Sequence, residues 1–195
     1  MSSTNTHDPI RRSKRGYLPH YDSPKLTQFV TFRLADSLPA TIFKTLEFKL
    51  KAKQITEVEY FWEIEKALDL GSGPTYLVDP RVARLISETL IKFDGAKYVL
   101  IAWAIMPNHV HLLLTTKDGI SLSQIMHSIK GFTANEANKI LGRTGRFWSP
   151  DYFDRFIRDS VHLSRAKKYI EENPVKAGLC ATPAKWPWGS AGWRG

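Results

Sequence analysis

Two histidines stand two residues apart in the segment MPNHVHLLL, at His109 and His111. Side chains of a β-strand alternate between the two faces of a sheet, so a strand here would present both imidazoles on one face. Val110 would then point into the core on the other face. Two parallel imidazoles can hold one divalent metal ion. For these two residues alone, a pair of hydrogen-bonded structural histidines is an equally good interpretation.

A tyrosine and an asparagine form a second candidate pair in the segment KKYIEENPVKAGL. Tyr169 and Asn173 are four residues apart, so a helix would place the phenol and the amide on one face. The phenol could serve as a nucleophile, and the amide oxygen could be a third metal ligand. On spacing alone, a core tyrosine and a C-capping asparagine is the favoured alternative. Pro174 predicts that this helix ends near Asn173.

The elements that must position these residues are predicted from the spacing of apolar residues and from turn residues. A strand over 26–34 is followed by two packing helices that end at Gly71. A third helix begins at Asp79 and Pro80, because a carboxylate can cap the first backbone N–H groups and proline suits the first turn. The segments 98–106 and 109–115 are typical of a hairpin. A helix opening at Leu122, a short run over 152–157 and a final helix from Ser160 complete the pattern.

Composition and charge limit the class of protein. The chain has 195 residues, 43% of them hydrophobic, which predicts one domain over 26–195 preceded by a flexible basic arm over 1–25. A formal charge of +9 favours a polyanionic partner. The apolar run at 98–106 is too short to span a bilayer, and the first residues lack the apolar core of a signal peptide. We therefore expect a cytoplasmic, nucleoid-associated protein without a membrane partner. The single cysteine, Cys180, leaves only nitrogen and oxygen ligands for a metal.

In combination, the two motifs resemble those of the HUH single-tyrosine transposases, and most closely those of the REP-associated tyrosine transposases. The resemblance covers most of the chain and is carried by five stretches: VTFRLADSLP, AWAIMPNHVHLLL, RFWSPDYFDRFIRD, NPVKAGL and the tail WPWGSAGW. Gly189, where a serine is common, departs from the tail pattern. The resemblance implies an α+β fold: a single domain with a ferredoxin-like core, whose mainly antiparallel sheet is flanked by helices and carries both histidines on a middle strand.

The resemblance also implies roles for the candidate residues. His109, His111 and Asn173 would hold a divalent metal, magnesium or manganese, and Tyr169 would be the nucleophile. Attack on a phosphodiester would give a covalent 5′-phosphotyrosine and a free 3′-hydroxyl, and the reverse reaction could rejoin strands without ATP. The implied activity is metal-dependent cleavage and strand transfer of single-stranded DNA. Its implied partner is hairpin-forming, REP-like DNA, and the protein would be a monomer or a homodimer.

The basic residues of such a protein would hold the phosphates of DNA. We expect an interface from the arm, from the segments that lead to Tyr169, and from an aromatic side chain that could stack on bases. The candidates are Arg11, Arg12, Arg15, Lys130, Arg143, Arg146, Trp148, Arg155, Arg158 and Lys168. For Trp148, a place in the core is an equally good interpretation.

Three other functions compete with this one. A histidine-triad hydrolase would need a third histidine where Leu113 stands, and a zinc hydrolase would need a third strong ligand near the pair. A hairpin-binding protein that descends from such a transposase but no longer cuts DNA is the stronger alternative, because the residue types alone do not fix catalytic geometry.

Overall fold

The chain is an α+β fold built on two antiparallel sheets. The computed structural model describes residues 12–15, 18–21, 25–71 and 73–194. Within them lie six strands: β1 (Arg12–Arg15), β2 (Leu18–Tyr21), β3 (Thr27–Arg33), β4 (Tyr98–Ile105), β5 (His109–Thr116) and β6 (Phe153–Phe156). The helices are α1 (Ala40–Lys51), α2 (Glu57–Asp69), α3 (Pro80–Lys92), α4 (Leu122–Ile140) and α5 (Ser160–Lys176), with 3-10 turns at Tyr76–Val78 and Pro183–Lys185. The predicted order of elements is confirmed.

The larger sheet has the strand order β4-β5-β3-β6, and every neighbouring pair is antiparallel. With helices between β3 and β4 and between β5 and β6, this is the β-α-β-β-α-β order of a ferredoxin-like core. The histidine strand, β5, lies inside the sheet between β4 and β3. The predicted fold class and the middle position of this strand are confirmed.

Each face of the sheet is covered by its own helices. On one face, Phe32 and Leu112 pack with residues of α3 and α4 in a large apolar core. On the other face, Leu113 packs with Phe61 of α2 and with Ile170 of α5. The small side chains Ala102 and Ala104 of β4 also belong to this second cluster. Small residues at these positions let α5 approach the sheet closely.

The predicted end of the last helix is wrong. Helix α5 passes through Pro174 and continues to Lys176. Asn173 and Pro174 are buried, and the carbonyls of the last turn are paired: the Ala177 N–H donates to Asn173 O at 2.9 Å, and the Leu179 N–H donates to Pro174 O at 2.8 Å. Near a helix end the proline removes only one backbone hydrogen bond, so packing outweighs the local preference.

The tail lies along the β4 edge of the sheet. Trp188 O accepts from the Ile105 N–H at 2.8 Å, and the Ser190 N–H donates to Trp103 O at 2.9 Å. A Cβ on Gly189 would lie 3.3 Å from Trp103 O, which is a tight fit. Glycine at this position therefore suits the close approach of the tail to β4, and the edge strand gains hydrogen-bond partners.

The predicted basic arm contains β1 and β2, which pair with each other, Arg12 opposite Tyr21. Strand β2 also lies against β6 of the main sheet. The sequence predicts a flexible arm here, because the segment has few apolar residues, and it does not predict this strand pair. Arg12 and Arg15 lie on β1, whereas Arg11 lies outside the described residues.

Two glycines should respond in opposite ways to alanine. Gly192→Ala would put a Cβ 1.9 Å from Trp186 O, so we expect the free energy of unfolding to fall by about 1–3 kcal/mol. Gly131→Ala lies in α4 with nothing within 4 Å, so it should raise that free energy by about 0.5–1 kcal/mol. Urea unfolding of both variants checks this. Equal stabilities would contradict the packing of the tail.

Candidate active site

The two histidines project from the same face of β5, as predicted. His109 and His111 are 1% and 0% exposed, and their Nε2 atoms lie 3.0 Å apart. Val110, between them, belongs to the apolar core on the opposite face. The face that carries the imidazoles is the one covered by α2 and α5.

Hydrogen bonds behind each ring orient the imidazoles. His109 Nδ1 lies 2.7 Å from Asn108 Oδ1, and the Asn108 amide donates through Nδ2 to Leu68 O at 3.0 Å. This arrangement leaves Oδ1 to accept from Nδ1–H of His109. His111 Nδ1 lies 2.9 Å from the hydroxyl of Thr31, its cross-strand partner. With the Nδ1 atoms protonated, both Nε2 lone pairs are free to bind a metal, the usual arrangement around metal-binding histidines.

Helix α5 brings the predicted tyrosine and asparagine to the same place. Asn173 is 1% exposed, and its Nδ2 atom lies 2.9 Å from His111 Nε2. Rotation of the Asn173 side-chain amide by half a turn would exchange Nδ2 and Oδ1, so that Oδ1 would face the imidazoles. The half-buried ring of Tyr169 lies 5.7 Å from that of His111, centroid to centroid. Four residues that the sequence singled out therefore meet, although they come from two elements.

A fifth residue, Glu65 of α2, was missed by the sequence analysis. Its Oε2 atom lies 3.2 Å from His111 Nε2 and accepts a hydrogen bond of 3.0 Å from the Tyr169 hydroxyl. Glu65 thus connects the imidazoles to the phenol. The sequence did contain a signal, because Glu65 falls between Phe61 and Leu68 on the inward side of an amphipathic helix. A carboxylate at such a position needs a buried partner.

Burial determines the charge of these groups. It lowers the pKa of His109 to about 3, and it lowers the pKa of His111 well below its usual value, so both rings are neutral. Burial raises the pKa of Glu65 to about 8. Burial, followed by the negative charge of Glu65, also raises the pKa of the Tyr169 phenol, which therefore keeps its proton at neutral pH. Neutral imidazoles are the protonation state that a metal requires.

The donor set fits a divalent cation. Ligand atoms of Glu65, His109 and His111 all lie within 4.8 Å of one another. The second carboxylate oxygen, Oε1 of Glu65, is buried without a hydrogen bond in the described part of the chain. Adjacent ligands of an octahedral ion bound at about 2.1 Å lie about 3 Å apart, which matches the 3.0 Å between the two Nε2 atoms. Two imidazole nitrogens and a carboxylate oxygen are ligands that a divalent metal ion accepts.

The candidate DNA-binding residues occupy different environments. Trp148 is 4% exposed, and its indole N–H donates to the Thr133 hydroxyl at 2.9 Å. Of the two interpretations of Trp148, this burial agrees with a place in the core. Lys130 Nζ donates to Pro150 O at 2.6 Å and fastens the loop before β6. Arg143 bonds Asn138 Oδ1 at 3.0 Å and lies over the ring of Tyr76. Both cations have structural contacts that the sequence did not reveal.

The other candidate cations are more accessible. Arg146 and Arg158 are exposed, as is Lys168, which lies 3.7 Å from Glu172 on α5. Arg155 of β6 is half-buried opposite Phe29, on the face of the sheet that carries the imidazoles. These four side chains are therefore exposed or half-buried at the surface of the described part of the chain.

A groove runs between α4 and the loop at 143–152. It has a volume of about 500 Å³, and its polar lining includes Gln124, His127, Lys130, Asn135 and Arg146. Ser149, Asp151 and Tyr152 line both this groove and a smaller cavity that reaches Thr31 and Glu65. The groove and the cavity therefore share a wall, and the cavity reaches Glu65, which contacts His111.

The tail also reaches α5, the helix that carries Tyr169. The Ser190 hydroxyl donates to Glu171 Oε1 of α5 at 3.0 Å and lies 3.3 Å from the backbone nitrogen of Trp103 in β4. The tail thus joins the edge of the sheet to α5 two residues from Tyr169. This contact gives the predicted tail motif a structural role.

Comparison with known proteins gives a family and a fold. Residues 76–173 match the family model for IS200-like transposases. No significant match is found among curated proteins. A solved REP-associated tyrosine transposase bound to a REP hairpin has 18% identity and a TM-score of 0.56, over 93% of this chain and 82% of that one. A candidate transposase from Deinococcus radiodurans R1 has 18% identity and a TM-score of 0.42, over 84% and 98% of the two chains.

In the described part of the chain, no helix has the length and apolar content needed to cross a bilayer.

Metal binding can be measured by thermal unfolding. Mn²⁺ should raise the Tm of the wild type, because a ligand present at about 100 times its Kd stabilises the folded state by about 2.7 kcal/mol. His111→Ala should abolish this shift, whereas His127→Ala, on the exposed side of α4, should keep it. If Mn²⁺ leaves the wild type unchanged and His111→Ala lowers the metal-free Tm strongly, the histidines are structural residues.

Proposed function

The chain belongs to the IS200-like transposase family, and on that premise we propose that it is a metal-dependent single-stranded DNA endonuclease and strand transferase that uses Tyr169 as its nucleophile. The observation that carries this proposal is the convergence of His109, His111, Asn173 and Tyr169 on one face of the sheet, with the phenol hydrogen-bonded to a buried carboxylate. A histidine pair with a purely structural role would not explain a tyrosine and a glutamate at the same place.

Cleavage makes one bond and breaks another. The Tyr169 oxygen attacks phosphorus, the bond between phosphorus and the 3′ oxygen breaks, and the 3′ oxygen leaves as a hydroxyl after taking up a proton. The product is a 5′-phosphotyrosine. Because the bond to tyrosine conserves the energy of the phosphodiester, attack by another 3′-hydroxyl rejoins strands and frees the tyrosine.

A divalent ion held by the imidazoles and by Asn173 or Glu65 would neutralise a phosphate oxygen and polarise phosphorus. The residues of the chain then have distinct tasks. Asn108 and Thr31 hold the imidazoles in the required tautomer. Glu65 receives the hydrogen bond of the phenol and is placed to accept its proton. A cation beside Glu65 favours the ionised carboxylate, which is the form that accepts a proton.

The proposed substrate is single-stranded DNA that folds into a hairpin. The formal charge of +9 and the groove beside α4 support a polyanionic partner. The solved REP-associated tyrosine transposase with a similar fold is bound to a REP hairpin, and we extend that substrate class to this chain. Arg146, Arg155, Arg158 and Lys168 are the cations we assign to phosphates, together with Arg11, Arg12 and Arg15 of the arm.

A hairpin-binding protein that no longer cuts DNA is the alternative function. It would keep the groove and its charge but would not need the contact between Tyr169 and Glu65. The variants Tyr169→Phe and Glu65→Gln separate these two functions.

Tyr169→Phe should abolish the covalent adduct and leave hairpin binding in place, because it removes only the nucleophilic oxygen. The test incubates end-labelled, single-stranded hairpin oligonucleotides with the protein and Mn²⁺ or Mg²⁺, followed by denaturing gels and peptide mass analysis. Tyr76→Phe, a control at the 3-10 turn before α3, should form the adduct as the wild type does. An adduct retained by Tyr169→Phe would move the nucleophile to another residue, and binding without any wild-type adduct would favour the silent protein.

Glu65→Gln should slow adduct formation by about 100-fold or more, because an amide of the same shape cannot accept the phenol proton. The Tm of the metal-free protein should change little at neutral pH, because burial raises the pKa of Glu65 to about 8 and the amide replaces a largely uncharged group of the same shape. Single-turnover rates on the same hairpin measure the effect. Glu47→Gln, at a buried glutamate of α1, is the matched control and should react at the wild-type rate. A wild-type rate for Glu65→Gln would exclude Glu65 from the reaction.

A further inference from the structure

An exposed indole lies beside the nucleophile. Trp62 of α2 is 46% exposed, and its ring lies edge to face with that of Tyr169, with centroids 5.2 Å apart and an interplanar angle of 81°. Several apolar side chains in the described part of this chain are exposed, but Trp62 is the one of them in ring contact with Tyr169, so its flat apolar face is within reach of a ligand at that phenol.

Contacts with buried aromatic side chains fix the position of Trp62. Its ring lies 5.0 Å from that of Phe61, which is 4% exposed and is stacked on Phe153 of β6 with centroids 4.1 Å apart. Helix α2 itself begins with a capping box formed by Thr56 and Glu59. Trp62 and Glu65 are three residues apart, so both project from neighbouring positions of one rigid helix. A stacking surface works best when its ring is held in place before the ligand arrives.

Two lysines lie near the Tyr169–Trp62 pair, on helices that also carry acidic residues. Lys176 Nζ lies 5.1 Å from the centroid of the Tyr169 ring. Lys66, one turn after Trp62 on α2, is exposed. A flat aromatic surface with nearby cations is how proteins hold single-stranded nucleic acid, with the ring on a base and the cations on phosphates.

We propose that the exposed ring of Trp62 is the stacking surface for a nucleobase that borders the phosphate attacked by Tyr169. This inference rests on the proposed function. Stacking would hold the unpaired strand across the phenol and would limit the positions at which phosphorus can meet the tyrosyl oxygen. The contact tolerates any base, because every base has a flat π-face, so sequence preference would come from other residues.

Fluorescence of 2-aminopurine tests the stacking directly. The probe is a DNA hairpin with single-stranded tails in which 2-aminopurine is moved from one tail position to the next. All binding measurements use protein that carries Tyr169→Phe, so that no cleavage occurs and the packing of the ring is kept. One tail position, or two adjacent ones, should be quenched on binding, and wild-type adduct mapping should place the scissile phosphate beside them.

Three further substitutions identify the ring responsible. Trp62→Leu should remove the quenching and weaken binding about tenfold or more, because base stacking is lost while apolar bulk is kept. Trp62→Phe should retain most of both, and Phe48→Ala, at an exposed aromatic residue of α1, should change neither. An abasic site at the quenched position should weaken binding to the protein with Trp62 but not to the Trp62→Leu protein.

The outcomes separate this inference from the proposed function. The stacking role would be overturned if Trp62→Leu left the quenching unchanged. It would also be overturned if Trp62→Leu weakened the binding of the normal and the abasic probe by the same factor. Trp62 would then be a residue that positions Tyr169. Quenching that depends on Trp62, without any wild-type adduct, would keep the stacking surface and reject cleavage. If the hairpin is not bound at all, both are rejected.

Discussion

Two imidazoles, a carboxylate and an amide are buried together in this protein, and the cost of removing them from water constrains the structure around them. Each polar atom needs a partner in the dry interior. Thr31 and Asn108 supply partners behind the rings, and Tyr169 supplies one for Glu65. The unpaired oxygen of Glu65 and the close approach of the two Nε2 atoms mark the place where a cation would complete the set.

The rest of the fold holds these groups in position relative to one another. Alanines of β4 let α5 lie close to the sheet, and the tail ties the edge of β4 to α5 through Ser190 and Glu171. Helix α2 covers the same face of the sheet as α5 and supplies both the carboxylate and the exposed indole. The apolar core on the opposite face, with α3 and α4, supports β5 from behind. The proposed reaction would tolerate little displacement of these groups, and the contacts that converge on them come from two strands and two helices.

Charge is divided between the interior and the surface. Inside, burial keeps the imidazoles and the phenol neutral, so the groups that would meet a phosphate carry little charge before a cation binds. Outside, cations such as Arg146 and Lys168 are available to a polyanion, while Lys130 and Arg143 fasten the loop between α4 and β6. Basic residues in this chain therefore differ in role according to their contacts, and their number alone does not define the interface.

The sequence by itself determined the strands of the larger sheet, the helices and the two local pairs, because these depend on spacing within a few residues. Strand alternation placed His109 beside His111, and helical spacing placed Tyr169 above Asn173. Only the tertiary structure added Glu65, which contacts a tyrosine 104 residues away, and placed Trp148 in the core and Trp62 at the surface. It also extended α5 beyond Pro174, because packing outweighed the preference of the residue before a proline for non-helical geometry. Contacts between distant segments depend on how the helices pack across the sheet, and no local pattern contains that information.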